Sequence, residues 1–110
     1  MSQKKLPADF EYLPDMYSDR YFPNFLVDKV REIIKEAVGF IEEGDHSTEE
    51  IQGAFDKMTS AINELQEEFE ENGSEIETAA RESIGPTVDN IIKFFNIDID
   101  IEEAIRDRDW

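Results

Sequence analysis

The chain has 110 residues, of which 28 are acidic and 11 are basic, and its formal net charge at pH 7 is −17. Binding to nucleic acid is disfavoured, because that interaction gains most of its affinity when Lys and Arg neutralise phosphates. An anionic membrane surface is disfavoured for the same reason. The sequence contains no cysteine, which excludes disulfides, thiol catalysis and thiolate metal sites.

Hydrophobic residues make up 39% of the chain and recur at helical spacing, so we expect one folded domain with one core. No apolar run approaches the roughly 20 residues of a membrane span. The N-terminal residues also lack the apolar core of a signal peptide. We therefore expect a cytoplasmic protein.

Residues 1–23 form an aromatic and proline-rich arm, and residues 24–110 carry the pattern of a helical bundle. Pro7, Pro14 and Pro23 exclude one long helix in the arm, since proline lacks an N–H donor and restricts the residue before it. We expect turns or short helical pieces that pack on the bundle. The aromatic rings either cover one end of the core or stay exposed as anchors for a partner. These rings belong to Tyr12, Tyr17, Tyr21, Phe22 and Phe25.

Apolar residues at steps of three and four predict a first helix over residues 24–43. Ser47 and Glu50 form a capping box before a second apolar period over residues 51–69. Gly73 follows that period and is well suited to the left-handed conformation after a helix.

Ser74 and Glu77 repeat the capping pattern and predict a third helix, in which Gly85–Pro86 should cause a kink or a break. Asp100 is expected to cap a fourth, short helix. The connections are short, so the expected fold is all-α: an antiparallel bundle of three long helices plus a short C-terminal helix, with the arm packed on it.

Thirteen acidic residues and one basic residue, Lys57, lie between Glu42 and Glu77. They form either a solvated face that keeps the protein soluble or a docking surface for a basic partner. The second interpretation follows because such a field speeds encounter and selects partners by sign. The candidate partner-binding residues are Asp56, Glu64, Glu67, Glu68 and Glu71, together with Tyr17 and Tyr21 of the arm.

Glu67, Glu68 and Glu71 also match the EExxE half of the metal-binding signature of the all-helical nucleoside triphosphate pyrophosphatases. Mg²⁺ held by helix carboxylates would bind the phosphates there. That family also needs an ExxD pair on the following helix, whereas Glu82 and Asp89 have the wrong spacing. A magnesium-dependent enzyme is therefore only the alternative interpretation. In the interpretation that we prefer, the protein has no catalytic residue, metal or cofactor.

Two weaker metal patterns are also present. The single histidine, His46, falls in a predicted loop, whereas a di-iron bundle requires two Glu-x-x-His pairs. Residues 96–102 alternate as calcium ligands do, but they lack the glycine that turns a calcium loop. Neither pattern predicts a metal site.

A resemblance is carried by three runs: YLPDMYSDRYFPNFLVDKV (12–30), LQEEFEENGSEIETAARESI (65–84) and IEEAIRDRDW (101–110). Together they resemble a family of small bacterial proteins classed as a domain of unknown function, over nearly the whole chain. The resemblance implies a bacterial, compact, helical protein and brings no catalytic residues.

A looser likeness, of type and not of motif, is to the helical immunity proteins that neutralise toxins delivered between competing bacteria. It implies that acidic and aromatic side chains cover the basic active-site cleft of a nuclease toxin. Our interpretation is a small acidic binding protein, with immunity-type inhibition as its sharpest form. The alternatives are the pyrophosphatase-like enzyme and a homo-oligomeric structural protein with no dedicated ligand.

Overall fold

A computed structural model describes residues 5–44, 46–76 and 78–110, of which about two thirds are helical and none lies in a strand. The helices are α1 (Pro14–Ser18), α2 (Asn24–Glu42), α3 (Thr48–Glu71), α4 (Thr78–Phe94) and α5 (Ile101–Ala104). The predicted all-α class is confirmed, and the antiparallel arrangement of the three long helices stays a prediction. Within the described ranges, no helix combines the length and apolar character needed to cross a membrane.

The ends of α3 follow from the predicted capping residues. The Ser47 hydroxyl accepts a 3.1 Å hydrogen bond from the Glu50 amide, and the Glu50 carboxylate accepts a 2.8 Å bond from the Ser47 amide. At the other end, Gly73 has a left-handed φ of 74°, and the Ser74 amide donates to the Phe69 carbonyl at 2.8 Å. The capping box and the glycine stop are both confirmed.

Helix α4 is continuous through Pro86, so of the expected kink or break the break is wrong and the kink stays a prediction. Proline removes one backbone hydrogen bond, whose acceptor would be the carbonyl of Glu82. Both residues are exposed, so water can hydrate that carbonyl, while buried Ile84 and Val88 hold the helix on the core. The helix begins at Thr78, four residues after Ser74, so the predicted N-cap at Ser74 is wrong. The other residue of that predicted cap, Glu77, lies outside the described residues.

The arm contributes to the core itself. Leu13 and Met16, at the start of α1 and within it, are completely buried, and α1 packs against both α4 and α2. The Leu13 amide donates a 3.1 Å hydrogen bond to the hydroxyl of Thr87 on α4. Further along the arm, buried Phe22 meets Phe69 of α3 edge to face, with ring centroids 6.4 Å apart. The arm therefore joins α2, α3 and α4.

The C-terminal segment lies across one flank of α3. The Asp100 carboxylate caps α5, as predicted, by accepting a backbone N–H bond at 3.1 Å. The Asn63 side chain then donates to the Asp107 carbonyl at 2.9 Å and accepts from the Asp109 amide at 3.0 Å. Trp110 is buried. These contacts cover one flank of α3, whereas its opposite flank lies along α2.

Candidate functional site

The C-terminal half of α3 concentrates negative charge. Its glutamates, called here the acidic half, are Glu64, Glu67, Glu68, Glu70 and Glu71. The last turn of α3 contains no basic residue. The C-terminal end of a helix carries the negative pole of its dipole, and like charges at helical spacing repel each other. The arrangement is therefore locally unfavourable to the fold.

Only one member of the acidic half forms an ion pair with the residues that the structure describes. The Glu68 carboxylate accepts a hydrogen bond from the ammonium of Lys29 on α2, and both side chains are partly exposed. No ion pair within the described ranges involves Glu64, Glu67 or Glu71, and all three are exposed. Their charge is thus available to a partner.

Two exposed aromatic rings adjoin the acidic half. Tyr21 is 45% exposed, and its ring centroid lies 5.2 Å from that of Phe22, which packs on Phe69 within α3. Phe25 is 50% exposed and precedes Lys29, the partner of the acidic half, by one turn of α2. We call this surface, made of the acidic half with Tyr21 and Phe25, the acidic–aromatic end. Aromatic residues are enriched in protein interfaces, whose rims are polar.

Tyr17 is held by contacts with α2. Its hydroxyl donates a 2.5 Å hydrogen bond to the Asp28 carboxylate, and the Arg31 guanidinium lies 5.9 Å from its ring centroid. Burial, together with the bond to Asp28, raises the pKa of Tyr17 to about 12. Its half-buried ring fastens the arm to α2.

Asp56 is separated from the acidic half. Its carboxylate accepts two hydrogen bonds from Arg106, at 2.8 and 3.2 Å, and a third from Gln52 at 2.9 Å. The bonds from Arg106 lower the pKa of Asp56 most, and the bond from Gln52 adds to the effect. Asp56 therefore fixes the C-terminal segment on α3.

An open groove of about 410 Å³ runs between α2 and α3 and was not predicted from the sequence. Its apolar lining is Ile33, Ala37 and Phe40 on α2 with Ala54, Met58 and Ala61 on α3. Glu36, Glu50 and Lys57 supply charges at its rim, and Gly53 also lines it. The sequence feature that could have indicated this groove is a set of small residues, Gly53, Ala54 and Ala61, beside the apolar stripe of α3. We call this cavity the α2–α3 groove.

The metal patterns of the sequence do not form ligand clusters within the described residues, where no set of three or more His, Asp and Glu side chains is placed to hold a metal ion. Asp89 pairs instead with Lys93 at 2.9 Å. His46 stacks on Phe40, with ring centroids 3.9 Å apart, at one end of the α2–α3 groove.

The model of a family of unknown function, DUF5713, matches residues 6–110, which include most of the arm and all five helices. No curated protein and no solved structure matches the chain. The predicted resemblance to a family of unknown function is confirmed. Because the match covers nearly the whole sequence, the chain belongs to the DUF5713 family.

Proposed function

We propose that this chain is a binding protein whose acidic–aromatic end docks on a basic protein. In its sharpest form it is an immunity-type inhibitor that covers the basic active-site cleft of a nuclease-like toxin. The observation that carries the proposal is the concentration of glutamates at the C-terminal end of α3, where Glu64, Glu67 and Glu71 pair with no described cation.

This concentration opposes folding in two ways. The glutamates repel one another, and their charges lie at the unfavourable pole of the helix dipole. A sequence tends to depart from local stability rules where function requires it. A basic partner would place cations beside these glutamates. Its charges would offset both the repulsion between the glutamates and their unfavourable interaction with the helix dipole.

The exposed rings complete the proposed contact surface. Charges at the rim of an interface act mainly on association rate and partner choice. Aromatic anchors near its centre supply most of the affinity. The proposed contact residues are Glu64, Glu67, Glu68 and Glu71 with Tyr21 and Phe25. Asp56 and Tyr17 are left out of the proposed contact, because hydrogen bonds within the chain occupy the Asp56 carboxylate and the Tyr17 hydroxyl. Glu68 is kept because its carboxylate stays partly exposed beside Lys29.

A nuclease is a fitting partner, because its cleft must be basic to bind phosphates. An acidic protein surface competes with the phosphates of the nucleic acid for the Lys and Arg side chains of that cleft. Inhibition of this kind takes place where the toxin meets its substrate, and we place it in the cytoplasm. Binding, and not catalysis, is the proposed activity.

The test uses the purified chain as bait beside two variants of equal net charge. Glu64→Lys, Glu67→Lys and Glu71→Lys together reverse the acidic half. Glu11→Lys, Glu82→Lys and Asp98→Lys are the control, called the scattered variant. These exposed residues lie on two other parts of the surface: Glu11 and Glu82 line one shallow pocket, and Asp98 lies between α4 and α5.

We expect a basic protein that the wild-type chain and the scattered variant retain and that the clustered variant loses. Its association rate should fall as salt rises, since the screening length is about 8 Å at 0.15 M. If the retained protein is a nuclease, equimolar addition of the wild-type chain should inhibit it. Equal retention by all three proteins would refute the proposal.

A further inference from the structure

We infer that the α2–α3 groove is the docking site for an amphipathic helix of the basic partner. The helix lays its apolar face on the groove floor and its basic flanks against the acidic rim. This inference rests on the proposed function, and it adds the chemistry and shape of the partner segment.

The groove offers apolar surface that the chain leaves accessible. Ile33 and Phe40 line it from α2 and are only half-buried, and Ala54 and Ala61 on α3 are half-buried as well. Two adjacent helices that leave an apolar groove between them are a recurrent receptor for a third, amphipathic helix. The ridge of side chains on such a helix fits between the two neighbours.

Gly53 keeps the α3 side of the groove open. It lies inside α3 and lines the groove, and a Cβ atom built on it would meet nothing within 4 Å. Glycine is unfavourable in a helix interior, and only proline is worse. Packing among the described residues does not require a glycine at this position, so the missing side chain leaves room in the groove for an approaching helix.

The charges at the rim of the groove indicate which charge the partner helix carries on its flanks. Glu36 and Glu50 line the groove and are exposed. A second copy of the chain is opposed by its own charge of −17. Lys57 is the cation in the lining, and it forms no ion pair with the described side chains. The partner helix is therefore basic on its flanks, with one acidic residue facing Lys57.

The groove leads to the acidic–aromatic end along α2. Phe40 lines the groove, the Lys29–Glu68 ion pair bridges the two helices further along, and Phe25 lies beyond that pair. From Phe40 to Phe25 the helix rises by about 22 Å at 1.5 Å per residue. A partner helix of about 15 residues spans this distance.

The probe is a synthetic helical peptide of about 18 residues, with Leu on one face and Lys on the other. Its controls are a scrambled isomer without amphipathic spacing and a version with Glu in place of Lys. We expect the wild-type chain to bind the amphipathic basic peptide at least tenfold more tightly than either control.

Gly53→Leu, which fills the groove, should weaken that binding at least tenfold. Gly39→Leu is the matched control, because Gly39 is an exposed glycine on α2 with equally open space and does not line the groove. It should retain the wild-type affinity within about twofold. Lys57→Glu should strengthen binding several-fold, because the probe carries no acidic residue to face Lys57. Melting curves confirm that each variant is folded.

The outcomes separate the groove from the proposed function. If Gly53→Leu binds as the wild-type chain does while the clustered reversal of Glu64, Glu67 and Glu71 weakens binding, the groove inference fails and the proposed function stands. Equal binding of the scrambled peptide, or no binding of the amphipathic one, also overturns the groove inference. The natural partner retained in the bait experiment then still decides the proposed function.

Discussion

The backbone amide of Leu13 donates a 3.1 Å hydrogen bond to the hydroxyl oxygen of Thr87, 74 positions later in the chain. Both residues are buried, and Leu13 has a left-handed φ of 54°, a conformation that costs a non-glycine residue roughly 1–2 kcal/mol. Burial of Leu13 and this hydrogen bond offset that cost. The N-terminal arm is therefore part of the folded core, and its removal should affect the stability of the whole domain.

Thr87→Val tests this bond at nearly constant volume. The substitution leaves the Leu13 amide buried without its acceptor, which should lower the free energy of unfolding by about 1–3 kcal/mol. Thr59→Val is the matched control: Thr59 is also buried, but its hydroxyl donates to the Phe55 carbonyl one turn earlier in α3, at 2.8 Å, and accepts no bond from another described residue. Thr59→Val should therefore lower the free energy of unfolding by less than about 1 kcal/mol. Urea unfolding measures both, and equal losses would contradict the assigned role of Thr87.

The bounds of α2 and α3 could be predicted closely because local signals define them. A capping box, a stop glycine and a regular apolar period all act within a few residues of the helix end. The continuity of α4 through Pro86 could not be predicted in this way. Whether a helix survives an internal proline depends on tertiary packing of its opposite face, and in α4 that face is buried.

A second prediction compares two phenylalanines of opposite burial. Phe55 is 1% exposed, so Phe55→Ala should cost roughly 3–5 kcal/mol by the usual core-cavity scale. Phe25 is 50% exposed, so Phe25→Ala should change stability by less than about 0.5 kcal/mol.

Phe25→Ala should nevertheless speed dissociation of the partner, because the proposed function makes Phe25 an anchor. Denaturant unfolding and binding kinetics on the same samples distinguish the two roles; a large stability loss for Phe25→Ala would remove it from the interface.

The candidate site was only partly predictable for a related reason. A helical wheel shows which glutamates of α3 face solvent, but it does not show which of them find a cation elsewhere in the chain. Arg106 reaches Asp56 from 50 positions away, and Lys29 reaches Glu68 from 39 positions away. Tyr17 and Tyr21 likewise have the same side chain and neighbouring positions, yet tertiary packing partly buries one and exposes the other.

A third prediction concerns alkaline pH. Burial and the bond to Asp28 raise the pKa of Tyr17 to about 12, above the value of about 10 in an unfolded chain. A raised pKa means that folding favours the neutral phenol. This contribution to stability is therefore complete below about pH 10 and is lost as the pH rises through about 12.

Absorbance titration of tyrosinate should resolve a component near pH 12 that Tyr17→Phe removes. Tyr12→Phe is the control, because burial also raises the pKa of Tyr12, helped by nearby Glu42, but no bond to Asp28 holds its proton. The Tyr17→Phe variant should also lose less stability between about pH 10 and 12. Persistence of the highest component in that variant would show that Tyr17 does not keep its hydrogen bond in solution.

The last prediction concerns the cost of the acidic half to the free protein. If its glutamates repel one another and the helix dipole, reversing Glu64, Glu67 and Glu71 to Lys should raise the melting temperature by about 2–5 °C. The gain has two sources: local repulsion falls, and Lys replaces Glu near the C-terminal end of α3. Glu68 is left unchanged so that its ion pair with Lys29 is preserved.

Salt provides an independent measure of the same repulsion. Raising the salt concentration should stabilise the wild-type chain, because screening weakens repulsion between exposed charges. The clustered variant should respond less. The scattered variant with Lys at Glu11, Glu82 and Asp98 has the same net charge but keeps the acidic half intact, so it should retain most of the wild-type salt response. The contrary outcome is that both variants gain the same stability and lose the same part of the salt response. The loss of stability from charge repulsion would then depend on total charge, and the prediction for the acidic half would be wrong.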